Sequence, residues 1–244
     1  MRLYFLATVS GLALTSGAQA ADMPLKARPM LAPAQWTGWY AGVQGGIADH
    51  DGKLLDVDGF LRGANGFGGQ TYTASETGAA FGGHLGYNWQ RDRWVLGLEG
   101  DISGVWAKAD ANAPVPPAFA GSTVSFDVQW LATIRARAGV LITDATLLYA
   151  TGGVAFGGVK NNGTLNQTVP GAPMDQNTTK TGFVVGGGIE HMFGPRWTGR
   201  AEVRYVDLGS SSVTCPASTC PVGPYRGEFS NKLLMGLVGL SLKF

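Results

Sequence analysis

The chain has 244 residues, of which 38 are Gly and only 14% are charged, and its mean hydropathy is +0.06. Globular proteins average about 7% Gly and about 25% charged residues, so this is not the composition of an ordinary cytosolic enzyme. The low mean hydropathy excludes a bundle of membrane helices, and the absence of a three-residue Gly period excludes collagen. The aromatic and β-branched content argues against a disordered chain.

The N-terminus has the pattern of a secretory signal peptide, predicted over residues 1–20. Arg2 provides a basic start, residues 3–14 are largely apolar, and Ala18-Gln19-Ala20 forms a small-residue cleavage site. The apolar stretch is too short and too often interrupted by hydroxyl side chains to be a transmembrane anchor. Residues 21–35 contain three prolines and predict an extended, mobile tail in the periplasm.

The charge balance bears on possible partners. Without Arg2, the mature chain has 17 basic and 17 acidic residues and is formally neutral. No basic excess is left to neutralise phosphates, so nucleic acid is excluded as a partner.

From Trp36 onward, apolar and polar residues alternate with a period of two, which predicts β-strands. Eight segments show this alternation, at approximately 36–48, 78–90, 93–107, 125–142, 146–159, 181–192, 197–208 and 229–244. Each segment is far longer than the strands of about 5–6 residues that are usual in globular proteins.

The connections between these segments alternate strictly between short and long. The short ones lie near residues 91–92, 143–145 and 194–195, and the long ones span about 49–77, 108–124, 160–180 and 209–228. This alternation is typical of outer-membrane barrels, which have short periplasmic turns and long external loops. We therefore predict an all-β fold over residues 36–244, an eight-stranded antiparallel up-and-down transmembrane β-barrel. The alternative is a soluble eight-stranded barrel such as a lipocalin, which would carry its polar residues outside.

One apolar row at the C-terminus is predicted to face lipid. It consists of Leu234, Val238, Leu240, Leu242 and Phe244, and Ser241 and Lys243 alternate with it on the opposite face. Aromatic residues near strand ends fit the interfacial girdles of such barrels. These are Trp39, Trp89, Trp94, Tyr149 and Trp197.

Several short motifs in this order resemble the small eight-stranded outer-membrane barrels of the OmpA-like, porin-family surface-antigen group of α-proteobacteria. They are WTGWY at 36–40, GYNWQ at 86–90, GLEGD at 97–101, YATGG at 149–153, VGGGIE at 185–190 and YVDLG at 205–209, and the match ends at Phe244. The resemblance implies an integral protein of the cell outer membrane. Members are variously described as porin-like, haem-binding or envelope-stabilising. Outer-membrane lipid, lipopolysaccharide and, through the C-terminal strand, the barrel-assembly machinery are the expected partners of a monomeric protein.

Alternation directs eight charged side chains into the barrel lumen. They are Glu99, Asp101, Arg135, Arg137, Glu190, Arg200, Glu202 and Arg204. Unpaired buried charges are costly, so these four acids and four bases are expected to pair. Counting from the short turns places Glu99 level with Arg137, and Asp101 level with Arg135. The set is interpreted either as a salt-bridged plug or as a narrow, gated polar pathway for small solutes.

The three His residues are poor catalytic candidates. His84 is expected to face the lumen, His191 to face lipid, and His50 to lie in the first external loop. Glu190 points away from its neighbour His191 because adjacent residues of a strand face opposite sides. We therefore predict no catalytic, cofactor or metal site, and no enzymatic activity.

Cys215 and Cys220 are the only cysteines, and both fall in the fourth external loop. Export into an oxidising compartment favours a disulfide between them, worth about 2 kcal/mol for so short a ring.

The leading hypothesis is a structural, surface-exposed role in envelope integrity, as a surface antigen or in adhesion through the loops. The alternatives are a narrow porin-like channel and the binding of haem or another small ligand at the external loops, with His50 as the expected external His.

Overall fold

The computed structural model describes residues 35–57, 70–112, 123–164, 176–215 and 225–244. The predicted signal peptide, residues 1–20, and all but the last residue of the predicted tail, 21–35, lie outside these ranges. Among the residues described, no helix is long and apolar enough to cross a membrane.

Eight strands form one closed antiparallel barrel in which each strand pairs with its neighbours in sequence. They are β1 (Gly38–Asp56), β2 (Gln70–Arg91), β3 (Trp94–Asn112), β4 (Thr123–Thr143), β5 (Thr146–Thr164), β6 (Gln176–Met192), β7 (Trp197–Cys215) and β8 (Tyr225–Lys243). The pairing of β1 with β8, which brings Val43 opposite Leu240, closes the sheet. Closure leaves no unpaired edge, as a sheet in hydrocarbon requires. The predicted fold class is confirmed.

The short connections lie at one end of the barrel, together with the start of β1 and the end of β8. Asp92 and Arg93 join β2 to β3, and Asp92 adopts a φ of 53°. Asp tolerates this left-handed conformation better than most residues, which suits it to a two-residue hairpin turn.

The strands extend further towards the opposite end than the alternation predicts. β1 continues to Asp56 and β2 begins at Gln70, so much of the predicted 49–77 loop is paired strand. Asp49 lies opposite Thr77, and the Thr77 hydroxyl donates to Asp49 Oδ1 at 3.1 Å. The prediction ended the strands too early because the apolar half of the alternation disappears there, although the backbone pairing continues.

The outer wall carries an apolar band. The predicted C-terminal row, Leu234, Val238, Leu240, Leu242 and Phe244, faces outward with 37–72% of each side chain exposed, whereas Ser241 and Lys243 are buried. Ten residues of strand cover about 33 Å, which corresponds to about 25 Å along the membrane normal at a tilt of about 40°. This height equals that of the apolar band of outer-membrane barrels.

Three β-bulges lie near the outer limit of this band. They interrupt the register at Gly104/Ala107 in β3, Val128/Trp130 in β4 and Asp207/Ser210 in β7. At the third, Gly209 has a φ of +71° and its N–H donates to Asp207 Oδ1 at 2.8 Å. Bulges increase the local twist and bend of a strand, so they alter its direction where it leaves the band.

Candidate functional site

All eight charged residues predicted for the lumen point inward and are buried, with 0–7% exposure. They lie on β3, β4, β6 and β7, and their charges sum to zero. Each of them contacts at least one partner of opposite charge. The structure therefore brings the whole set together as one ion-pair network, the lumen charge cluster.

Arg135 is the centre of the cluster. Its guanidinium pairs with Glu99, lies 3.1 Å from Asp101 Oδ2 and donates from Nη1 to Glu202 Oε1 at 2.5 Å. A planar fork with five N–H donors can serve several carboxylates at once, which a lysine ammonium cannot match in geometry.

Two further arginines on β7 complete the pairing of these carboxylates. Arg200 Nη1 donates to Glu99 Oε2 at 2.6 Å, and Arg204 Nη1 donates to Asp101 Oδ1 at 3.0 Å. Gln44 of β1 joins the two, because its Oε1 accepts from Arg200 at 2.6 Å and from Arg204 at 2.9 Å. The carboxylates and guanidiniums thus pair with one another within the lumen, while the Nε atoms of Arg135 and Arg137 have no hydrogen-bond partner among the described residues.

The predicted level of Arg137 is wrong, although its ion pair with Glu99 is present. Its nearest carboxylate is Glu190 at 2.6 Å, and Glu99 lies 3.6 Å away. In the sheet register Glu99 faces Arg135 and Gly97 faces Arg137, so the predicted levels are displaced by two residues. Counting from turns treats strands as upright, whereas barrel closure requires tilted strands with a staggered register.

Two tyrosines enclose the Arg137 guanidinium. Its Cζ lies 4.1 Å from the centre of the Tyr149 ring and 5.5 Å from that of Tyr40. The Tyr149 hydroxyl donates to Glu202 at 2.5 Å, and the Tyr40 hydroxyl donates to Glu99 at 2.7 Å. Each ring supplies a cation–π contact and each hydroxyl a hydrogen bond to the cluster.

The prediction that Tyr149 belongs to an interfacial girdle is therefore wrong. Tyr149 is buried in the lumen, and its neighbour Leu148 is the residue that faces outward. The other four girdle aromatics, Trp39, Trp89, Trp94 and Trp197, are exposed on the outer wall. The signal was present in the sequence, because Tyr149 has the same parity along β5 as the inward Thr151.

Sequence reasoning also missed Tyr40 and Gln44 as members of the cluster. Both lie on the inward face of β1, so strand parity could have identified them. Tyr40 has room because Gly86 lies beside it: a Cβ at Gly86 would be 2.3 Å from the Tyr40 hydroxyl oxygen. Here glycine permits a large polar side chain to cross a narrow lumen.

Two apolar layers cover the lumen charge cluster, one on each side along the barrel axis. Strand alternation predicts a polar lumen and does not predict these layers. The layer towards the long-loop end, the outer apolar layer, is formed by buried residues of all eight strands. They are Ala48, Ala80, Val105, Ala107, Val128, Leu131, Ala155, Val159, Val184, Val206, Leu208, Leu233, Met235 and Leu237.

Trp36 closes the short-turn end. Its side chain is fully buried among Val95, Leu141, Leu147, Tyr149 and Met192, which we call the Trp36 cap. The indole Nε1 donates to Asp144 O at 3.1 Å, across the mouth of the barrel, and the backbone N–H donates to Gln90 Oε1 at 2.8 Å.

The three His residues have distinct environments. The prediction that His50 lies in an external loop is wrong: it is a fully buried residue of β1, with Nε2 3.1 Å from Asn231 Oδ1. His84 is buried, with Nε2 2.8 Å from Ser241 Oγ, and within the described residues its Nδ1 has no hydrogen-bond partner. A Ser–His nucleophile uses a third group to orient the His, and no such group among the described residues contacts His84 Nδ1.

His191 is exposed on the outer wall. In the part of the chain that the structure describes, no group of three or more His, Cys, Asp or Glu side chains is arranged to hold a metal ion. Cys215 ends β7 and Cys220 lies outside the described residues, so the disulfide stays a prediction.

Comparison with known proteins places this geometry in a family. The model of the outer membrane protein β-barrel domain family matches residues 7–227. The chain belongs to this family. It is 31% identical over 220 residues to the 31 kDa outer-membrane immunogenic protein of Brucella melitensis, covering 87% of this chain and 90% of that protein. It is also 29% identical over 209 residues to the 22 kDa outer membrane protein of Rhizobium leguminosarum bv. viciae, covering 86% and 80%.

Among solved structures, the outer membrane protein OprG of Pseudomonas aeruginosa shares the fold, with a TM-score of 0.54 at 17% identity over 87% of this chain and 98% of that one. The resemblance to α-proteobacterial surface antigens and the predicted location are thus confirmed: this is an integral outer-membrane β-barrel protein. In this family's arrangement the short-turn end is periplasmic and the long-loop end faces outward.

Proposed function

We propose that this barrel does not conduct solutes or catalyse a reaction, and that its role is structural and surface-exposed. The observation that carries the proposal is the internal pairing of the lumen charge cluster, in which Arg135 alone contacts three carboxylates. Charges that satisfy one another across the lumen fill an eight-stranded barrel, which is only wide enough for side chains.

The two apolar layers support a closed lumen further. A solute would have to pass the Trp36 cap, the lumen charge cluster and the outer apolar layer in turn. Hydrophobic constrictions oppose the passage of water and ions because they dewet. His50 does not support haem capture at the loops, since its side chain is buried inside the barrel, where it contacts Asn231 of β8.

We expect the refolded protein to be electrically silent in a planar bilayer, since each barrier alone opposes ion passage. The measurement is single-channel recording, with a general porin as the positive control for the bilayer and quantified insertion of this protein. Discrete, reproducible steps that change in Arg137→Ala would contradict closure and favour the narrow-channel function.

The surface role rests on the projecting hairpins and on relatives such as the 31 kDa outer-membrane immunogenic protein of Brucella melitensis. The paired strands beyond the apolar band carry outward polar side chains, such as Asp51, Thr73 and Lys232. An immunogenic role for this chain follows if these hairpins are accessible on the cell.

We expect a short epitope tag inserted between residues 57 and 70 to be labelled by antibody on intact cells. The matched control carries the same tag between Asp92 and Arg93, at the opposite end, and should be labelled only after permeabilisation. Labelling of the control on intact cells, or of neither tag before permeabilisation, would contradict the surface role.

A further inference from the structure

The outer wall of β1–β4 carries an apolar groove of about 980 Å³ that the closed lumen does not explain. Its floor is made of small residues, Gly83, Gly100 and Ala132, and larger apolar side chains such as Leu85 and Ile134 form its sides. It lies within the band that faces lipid.

No side chain lies over the two floor glycines, Gly83 and Gly100, whereas the Trp106 ring covers Gly104 elsewhere on the outer wall. At Gly104 a Cβ would be 2.9 Å from the Trp106 ring, which lies over it. At Gly83 and Gly100 the nearest atoms to a Cβ would be carbonyl oxygens at 3.5 Å and 3.8 Å. Neither position has a positive φ or a steric need for glycine, so what glycine provides there is the depression itself.

The groove has the length of one membrane leaflet. It extends along β2 from Trp89 to Gly83, a span of six residue-to-residue steps, which is about 20 Å of strand. At a tilt of about 40° this becomes about 15 Å along the membrane normal, close to half of the apolar band of about 25 Å.

Three aromatic residues mark one end of the groove. Trp39 and Tyr87 make an edge-on contact with ring centres 5.2 Å apart, and Tyr87 and Trp89 lie 4.7 Å apart. They are on the periplasmic side, close to the Asp92–Arg93 turn. Trp and Tyr favour the headgroup level, where one end of the side chain is apolar and the other is wet.

We propose that this groove is a specific binding site for one acyl chain of a phospholipid in the periplasmic leaflet. The chain lies on Gly83, Gly100 and Ala132, and the headgroup lies beside Trp39, Tyr87 and Trp89. The length of the groove matches an acyl chain that spans one leaflet, and its aromatic end on the periplasmic side indicates the periplasmic leaflet.

A smaller groove elsewhere on the outer wall of the barrel provides a matched control. This groove has a volume of about 630 Å³ and includes Gly236 of β8. The nearest atom to a Cβ added at Gly236 would be Ile47 Cγ1 at 3.8 Å. Gly100→Leu and Gly236→Leu therefore make the same chemical change on the same lipid-facing wall, but only the first fills the proposed site.

The test is native mass spectrometry of the refolded protein in detergent with added palmitoyl-oleoyl-phosphatidylethanolamine. We expect wild type and Gly236→Leu to retain one phospholipid at collision energies that strip the others. In Gly100→Leu the retained fraction should fall at least about ten-fold, equivalent to about 1.4 kcal/mol. Folding of each variant is checked by its band shift on unheated gels, and Gly83→Leu replaces Gly100→Leu if the latter does not fold.

Four results would overturn the proposal: no retained phospholipid in wild type, equal loss in both variants, preferential retention of added lipid A, or a dimer mass in place of the lipid adduct. Lipid A would place the ligand in the outer leaflet, and a dimer would make the groove an interface between two copies. A wild-type result alone can therefore reject the site, whatever the behaviour of the variants.

Discussion

Replacing Arg135 with Ala is expected to lower the free energy of unfolding by about 3–5 kcal/mol. The guanidinium contacts Glu99, Asp101 and Glu202, and its loss leaves a net negative charge in a lumen that water does not readily reach. Removing one partner of a buried ion pair costs more than the pair itself contributes, because the remaining charge stays desolvated. The measurement is reversible urea unfolding of the refolded protein in lipid vesicles.

Arg91→Ala is the matched control, since Arg91 is exposed at the end of β2 and its loss should change stability by no more than about 0.5 kcal/mol. A second comparison uses Arg137→Met and Glu190→Leu, alone and combined. The combined variant should lose less stability than the two single variants added together, because each single change strands the other member of a 2.6 Å pair. If Arg135→Ala and Arg91→Ala unfold alike, the lumen charges are solvated and the closed-lumen argument fails.

Replacing Trp36 with Ala is expected to cost about 3–5 kcal/mol, the usual range for deleting a large buried aromatic side chain. The indole is fully buried and is the one side chain before β1 that enters the barrel among the described residues. Its loss would empty the centre of the Trp36 cap and break the Nε1 hydrogen bond to Asp144 O.

Trp36→Phe is the graded control, because it keeps most of the apolar volume and loses the hydrogen bond. It should cost about 0.5–1.5 kcal/mol, the usual net contribution of one hydrogen bond, because Asp144 is exposed at its turn and water can reach the carbonyl oxygen. The same urea titration measures both variants. Wild-type stability in Trp36→Ala would mean that the segment before β1 does not hold the mouth closed.

Strand parity explains why so much of this molecule could be predicted from sequence. Successive residues of a strand face opposite sides, so one correctly placed apolar row fixes the direction of every other side chain in it. Glu99 and Asp101 were therefore assignable to the interior together with Arg135, and Leu240 to the exterior. The strict alternation of short and long connections supplied the topology.

The predictions from sequence are wrong at Tyr149 and His50. The aromatic ring of Tyr149 suggests a girdle residue, although its alternation with Leu148 directs it inward. The alternating apolar residues end at Ile47 and so predict a loop at His50, while the strand continues to Asp56. For His50 the physical reason is that outward polar residues beyond the membrane, such as Asp51, hide the strand pattern.

Contacts across the lumen could not be predicted because they depend on register. A shift of two residues preserves parity, so alternation alone cannot distinguish Glu99 opposite Arg135 from Glu99 opposite Arg137. Periodicity also cannot predict the burial of Trp36, since this residue precedes the first strand and its hydrogen-bond partners, Gln90 Oε1 and Asp144 O, are 54 and 108 residues away. Both features are set by closure of the barrel rather than by any local segment.

The continuation of the strands past the apolar band has a consequence for how this protein can change over evolutionary time. β8 extends nine residues beyond Leu234, which raises the tips of the barrel about 20 Å above the hydrocarbon. Pairs such as Asp49 with Thr77 hold the register of these projecting strand ends, so the tips need not contribute to the register. Substitutions and insertions at the tips therefore leave membrane insertion and the charged interior unaffected, so the tips can diversify while the barrel below stays the same.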